Sequence, residues 1–228
     1  MMKQSVRTAG IFFLILSLLD VVPLLAGIEA IHPWVKPLLV PSLAVAALFA
    51  LLPQYKGRRT VLLATGLFLH ATGDILLIFD SQGFFFFALG LGAFLLGHIC
   101  YLFVLLDGMG GLKGWKEILC WVLPLPLAVL SSGLLNAEGL MRYAVTLYAL
   151  TLLFEIATGV LWMLRGRPMG LRILLGAILF LISDVLLALN AFADIDFPTR
   201  HGLVMATYLA AEWLLVSGMV RNRLQEGN

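Results

Sequence analysis

Charge is scarce in this chain. Only 12% of its 228 residues are Asp, Glu, Lys or Arg, while 61% are hydrophobic, and a soluble domain carries about twice that share of charge. A soluble globular protein is excluded on composition. Cysteine is nearly absent too: Cys100 and Cys120 are the two, and neither has the CxxC or Cys/His spacing of a metal site or a disulfide framework. Net charge is +2, and Lys56-Gly57-Arg58-Arg59 is the one basic cluster, so no contiguous positive face exists for nucleic acid. Four histidines are present, without an HxxxH or HExxH pair, and a three-histidine zinc site cannot be assembled from them. There is no GxSxG elbow, and Gly-Met-Gly-Gly at 108–111 lacks the lysine and Ser/Thr of a phosphate loop.

What remains is apolar sequence in long runs. Each crossing of a ~30 Å hydrocarbon core needs about 20 apolar residues, and eight runs meet that need: roughly 9–29, 34–52, 60–79, 84–106, 117–134, 141–163, 169–192 and 202–220. They are expected to be helices, since lipid offers no partner to an open strand and the period-2 alternation of a barrel is missing. The first run is long enough to span, and is read as a span rather than a cleaved secretory signal. Between the runs stand breakers such as His32-Pro33, Pro53-Gln54, Asp80 to Gly83, Asp107 to Gly114, Asn136 to Gly139, Gly166-Arg167-Pro168 and Asp194 to Pro198. The expected fold class is an all-α polytopic membrane protein, a single transmembrane domain of eight helices over 1–228.

Basic residues orient it. With a cytoplasmic N-terminus, Lys3, Arg7, Lys56, Arg58, Arg59, Lys113, Lys116, Arg165, Arg167, Arg172, Arg221 and Arg223 fall inside, against Lys36, Arg142 and Arg200 outside. Twelve against three obeys the positive-inside rule, with both termini cytoplasmic. Trp34, Phe84–Phe87 and Phe197 outside, and Trp115, Trp121 and Trp162 inside, are expected to be interfacial anchors. Pro41, Pro124 and Pro126 should kink their helices, and Gly90, Gly92 and Gly97 should let the fourth helix pack closely. Gly66 to Leu77 also aligns with Gly176 to Leu187, an offset that superposes Asp74 on Asp184 and suggests a four-plus-four parallel repeat.

Five acids sit inside the apolar runs: Asp20, Asp74, Glu155, Asp184 and Glu212, with His70 and His98. Glu138, Asp194 and Asp196 are among those read as solvated in loops. An acid at the centre of a spanning helix costs ~2.5–3.5 kcal/mol on the insertion scale, so each should face an interior cavity and have a partner. Counted from Arg59 and Arg172 at ~1.5 Å per residue, Asp74 and Asp184 lie about 18–22 Å up, in the outer half of the core. His70 and Asp74 are i,i+4, as are Tyr208 and Glu212, and His98 and Tyr101 are i,i+3, so each pair shares a helical stripe. Lys36, in Lys36-Pro37-Leu38 at the outer mouth, is either a snorkelling flank or a cation for a buried acid or a phosphate. Buried acids of this kind fit an intramembrane hydrolase, a proton-coupled lipid or solute carrier, or a lipid hydrolase with a metal held by Asp74, Asp184, His70 or His98.

Taken in order, Lys36-Pro37-Leu38, Gly73-Asp74, Phe94-x-x-Gly97-His98-x-x-Tyr101, Phe180-x-x-Ser183-Asp184 and Tyr208-x-x-Ala211-Glu212 resemble the YhhN family of small membrane proteins, which includes lysoplasmalogenases. Glu212 departs from the family pattern, where Gln is common. The resemblance implies hydrolysis of the vinyl-ether bond of a lysoplasmalogen, without a cofactor, to a fatty aldehyde and a glycerophospho-ethanolamine or -choline. It also implies a bacterial inner-membrane location, lipid as the partner and no obligate protein partner. That reaction asks for one protonated carboxylic acid, one carboxylate to stabilise an oxocarbenium ion, and a water, which is the two-carboxylate logic of glycosidases. Asp74 and Asp184 are expected to form the pair. Lys36, His70, His98, Tyr101, Ser183, Tyr208 and Glu212 are expected to line the pocket, with Lys36 on the phosphate.

Overall fold

The computed structural model describes residues 2–107, 109–111, 113–134, 139–193 and 197–226. Asn136, Glu138, Asp194 and Asp196 lie outside the described residues. Within them the chain is helical, without strands: α1 Met2–Leu25, α2 His32–Leu51, α3 Arg58–Leu77, α4 Phe84–Leu106, α5 Trp115–Val122, α6 Pro124–Leu134, α7 Gly139–Leu164, α8 Gly170–Ala193 and α9 Arg200–Glu226, with a 3-10 turn at Asp80–Gln82. Eight stretches are long and apolar enough to cross a membrane, each overlapping one of the expected runs, and the protein is an integral membrane protein by that measure.

Local chemistry sets the ends. Proline at the second position of α2 fits a turn whose N–H groups have no helical partner. After α1 the Ile28 N–H reaches back to the Pro23 carbonyl at 2.8 Å, and after α7 the Arg167 N–H reaches the Trp162 carbonyl at 2.8 Å. Both closures need a left-handed residue, supplied by Gly27 at φ 77° and Gly166 at φ 65°. The fifth span is two helices, because Pro124 has no N–H to continue the ladder from α5. Pro41 does not interrupt α2, which runs unbroken to Leu51.

The chain forms two compact units, Met1–Val104 and Leu105–Glu226. In the first, α2 packs on both α1 and α3, and α3 meets α4 through glycines. A Cβ on Gly66 would strike the Tyr101 ring, one on Gly73 the Phe94 ring, and one on Gly97 the His70 ring. Gly90 closes on Leu77, whereas a Cβ on Gly92 meets nothing, so Gly92 is not part of the seam expected of it. In the second unit, α7 is central and packs on α5, α6 and α8, with α9 against α8. Gly159 abuts the backbone of Leu174, and Gly176 that of Leu215, the close approach that small residues allow where no hydrophobic force separates helix from lipid.

The large apolar residues left on the surface, Phe12, Leu18, Phe68 and Val129 among them, are what a lipid solvent requires. Trp34 and Trp115 are exposed as anchors should be. Trp162 is not: it is fully buried, with its indole N–H donating to the Leu105 carbonyl at 3.1 Å, and it ties α7 to the end of α4. Phe87 is buried as well.

Candidate functional site

Each unit carries a polar cluster inside its helices. In the first, His70 and Asp74 stand one turn apart on α3, 0% and 1% exposed, on the common stripe that i,i+4 spacing dictates. Against them α4 sets Phe94, His98 and Tyr101. The His70 ring lies 4.7 Å from that of His98, 4.7 Å from Tyr101 and 5.2 Å from Phe94, centroid to centroid. The structure brings these residues together by a mechanism visible in the sequence: glycines at 66, 73 and 97 remove the side chains that would hold these rings apart.

The second cluster joins three helices. Tyr148 on α7 donates its phenolic hydrogen to Oδ2 of Asp184 on α8 at 2.6 Å. The same phenol lies in the electrostatic field of Glu155, two turns along the same face of α7, and of Glu212 on α9. Glu155 and Glu212 are 0% exposed, whereas Asp184 is half-buried. Tyr208, one turn before Glu212, meets Phe180 edge-on at 5.4 Å. The Ser183 hydroxyl donates to the Val204 carbonyl at 3.0 Å, holding α8 to α9 next to Asp184. Tyr148 is the member that sequence reasoning missed. Tyr148, Thr151 and Glu155 fall at i, i+3 and i+7, a polar stripe in an otherwise apolar helix, and that periodicity would have found it.

Lys36, on α2, is 8% exposed, so its stem is packed rather than spread along a lipid face. His32, expected in a breaker between spans, opens α2, and His201 lies in the first turn of α9. His32 reaches Asp20 on α1, Nδ1 to Oδ1 at 2.8 Å, giving the first-span acid its partner. Among the described residues no group of three or more His, Cys, Asp or Glu side chains is arranged to hold a metal ion.

A third polar assembly holds the second unit together at the α4–α5 loop. Arg165 clasps Glu117 in a fork, Nε to Oε1 at 2.9 Å and Nη2 to Oε2 at 2.7 Å, and also donates to the carbonyls of Met109 and Gly111. The Lys113 backbone N–H completes Glu117 at 2.7 Å. This pairing draws the guanidinium's affinity for its proton above the ordinary arginine value, and its work is structural.

The sequence profile of the YhhN family matches residues 31–219. Among curated proteins the chain is similar to human lysoplasmalogenase TMEM86B, 32% identical over 80% of this chain and 74% of that one. It is 33% identical to the rat protein of the same name over 73% of this chain and 64% of that one. Bovine lysoplasmalogenase TMEM86A is 30% identical over 69% of this chain and 65% of its own. The chain thus spans about two thirds to three quarters of the length of these relatives. No solved structure matches it.

Proposed function

The chain belongs to the YhhN family, and from that premise we propose that it is a membrane-embedded hydrolase that cleaves the vinyl-ether bond of lysoplasmalogens, in a bacterial inner membrane with both termini inside. Three curated relatives bearing the name lysoplasmalogenase support the activity. The observation that carries the mechanism is the Tyr148–Asp184 hydrogen bond. The phenol donates to Oδ2, so Asp184 is held as a hydrogen-bond acceptor, the role asked of a group that stabilises a cation and takes a proton from water.

In the proposed reaction Asp74 gives its proton to the β-carbon of the vinyl ether. The π pair forms the new C–H bond and leaves an oxocarbenium ion, whose charge Asp184 stabilises. Water adds to the α-carbon and passes a proton to Asp184. The hemiacetal hydroxyl then gives its proton to the Asp74 carboxylate as the bond to the glycerol oxygen breaks, that oxygen takes the proton held by Asp184, and aldehyde and glycerophospho-compound leave with both acids restored. His70, His98 and Tyr101 would surround Asp74, and Ser183, Tyr208 and Glu212 would surround Asp184. Lys36 would hold the phosphate. Purified full-length protein in detergent is expected to release fatty aldehyde from a lysoplasmalogen without a vesicle or gradient, and Asp184→Asn to abolish it. No aldehyde from the wild-type protein with any lysoplasmalogen would overturn the reading in favour of a carrier.

A further inference from the structure

At the α1–α2 end of the first unit, the hairpin carries three polar side chains, Asp20, His32 and Lys36, of which Asp20 is only half satisfied. Asp20, five residues before the end of α1, is 1% exposed. His32 occupies its Oδ1 at 2.8 Å, while Oδ2 is buried and meets no hydrogen-bond donor among the described residues. Lys36 follows His32 by one turn on the same helix face. It is 8% exposed and makes no hydrogen bond or ion pair among the described residues. A buried carboxylate oxygen without a donor costs free energy that nothing in the hairpin repays, and the Lys36 ammonium meets no anion among the described residues. A ligand with one donor-bearing cation and one anion would satisfy both.

We propose that Asp20, His32 and Lys36 form the head-group site for the lipid substrate and select phosphoethanolamine over phosphocholine. The primary ammonium donates an N–H to Asp20 Oδ2, the phosphate binds Lys36, and His32 fixes the carboxylate. The preference follows from donor inventory: an orphaned acceptor is satisfied by an N–H, which ethanolamine has and a quaternary ammonium lacks. The inference rests on the lysoplasmalogen reading for the identity of the lipid, and it adds an acid from α1, outside the matched residues 31–219.

The test uses purified full-length protein in detergent and compares kcat/KM for alkenyl lysophosphoethanolamine, alkenyl lysophosphocholine and alkenylglycerol. Wild type is expected to favour ethanolamine over choline by about tenfold or more, the discrimination of one hydrogen bond to a charged group. Asp20→Asn should bring that ratio towards one. Lys36→Gln should lower the ratio of either phospholipid to alkenylglycerol by about tenfold, and Lys36→Arg should largely restore it. If Asp20→Asn does not fold, as judged by size exclusion, the Lys36 pair still decides. Equal ratios in wild type and variants overturn the site. Equilibrium binding of alkyl-ether lysolipids, which have no vinyl ether to cleave, separates this from the reaction: selectivity without any aldehyde release would fell the hydrolase reading and keep the site. Free phosphoethanolamine should not displace the lysolipid at equal concentration, and displacement would overturn a lipid as the ligand.

Discussion

Tyr148 and Asp184, thirty-six positions apart in sequence, are joined by a 2.6 Å hydrogen bond in which the phenol donates and the carboxylate accepts. The bond fixes one oxygen of a half-buried acid. Glu155 and Glu212 act electrostatically on the same phenol.

Removing only that donor is the sharpest test of the arrangement. Tyr148→Phe keeps the ring and should lower kcat for aldehyde release about ten- to a hundredfold, the loss of one hydrogen bond to a charged group, while KM changes far less. A rise in KM with kcat intact would instead make Tyr148 a packing residue.

Asp74→Asn and Asp184→Asn should each cut turnover by about two to four orders of magnitude, the range for loss of a proton-transfer group. Asparagine retains an oxygen for Tyr148, so the fold should survive, as size exclusion in detergent would show. Turnover near wild type in either variant removes that aspartate from the chemistry.

The glycine seams separate packing from propensity. Gly159→Ala puts a methyl into the backbone of Leu174 and should destabilise by about 1–3 kcal/mol, as overpacking does. Gly92→Ala meets nothing within 4 Å and should be neutral or stabilise by up to about 1 kcal/mol through helix propensity. Thermal unfolding of the two variants in the same detergent measures the difference.

Arg165→Lys should lower the thermal midpoint nearly as much as Arg165→Ala. Lysine keeps the charge but cannot span both oxygens of Glu117 and the two loop carbonyls at once. Recovery of the wild-type midpoint with lysine would show that charge alone suffices there.

Much of this protein is written locally. Eight runs of apolar residues, the prolines and glycines between them, and the burial of Asp74, His70, His98, Tyr101 and Glu212 all follow from the sequence, because lipid accepts only helices of a set length and tolerates acids only where another helix covers them. The α3–α4 cluster was legible for the same reason: glycine spacing on one helix and aromatic spacing on the next describe a single seam.

Partners across longer distances were not legible. The Tyr148–Thr151–Glu155 stripe marks an inward face of α7 but not what meets it, and nothing in the apolar sequence around Trp162 or Asp20 states which partner those side chains find. Tertiary packing chose the partners: the donor for Asp184, the burial of Trp162 against Leu105 and the His32 partner of Asp20. The sequence determined which residues must leave the lipid; only the packed helices decided which of them meet.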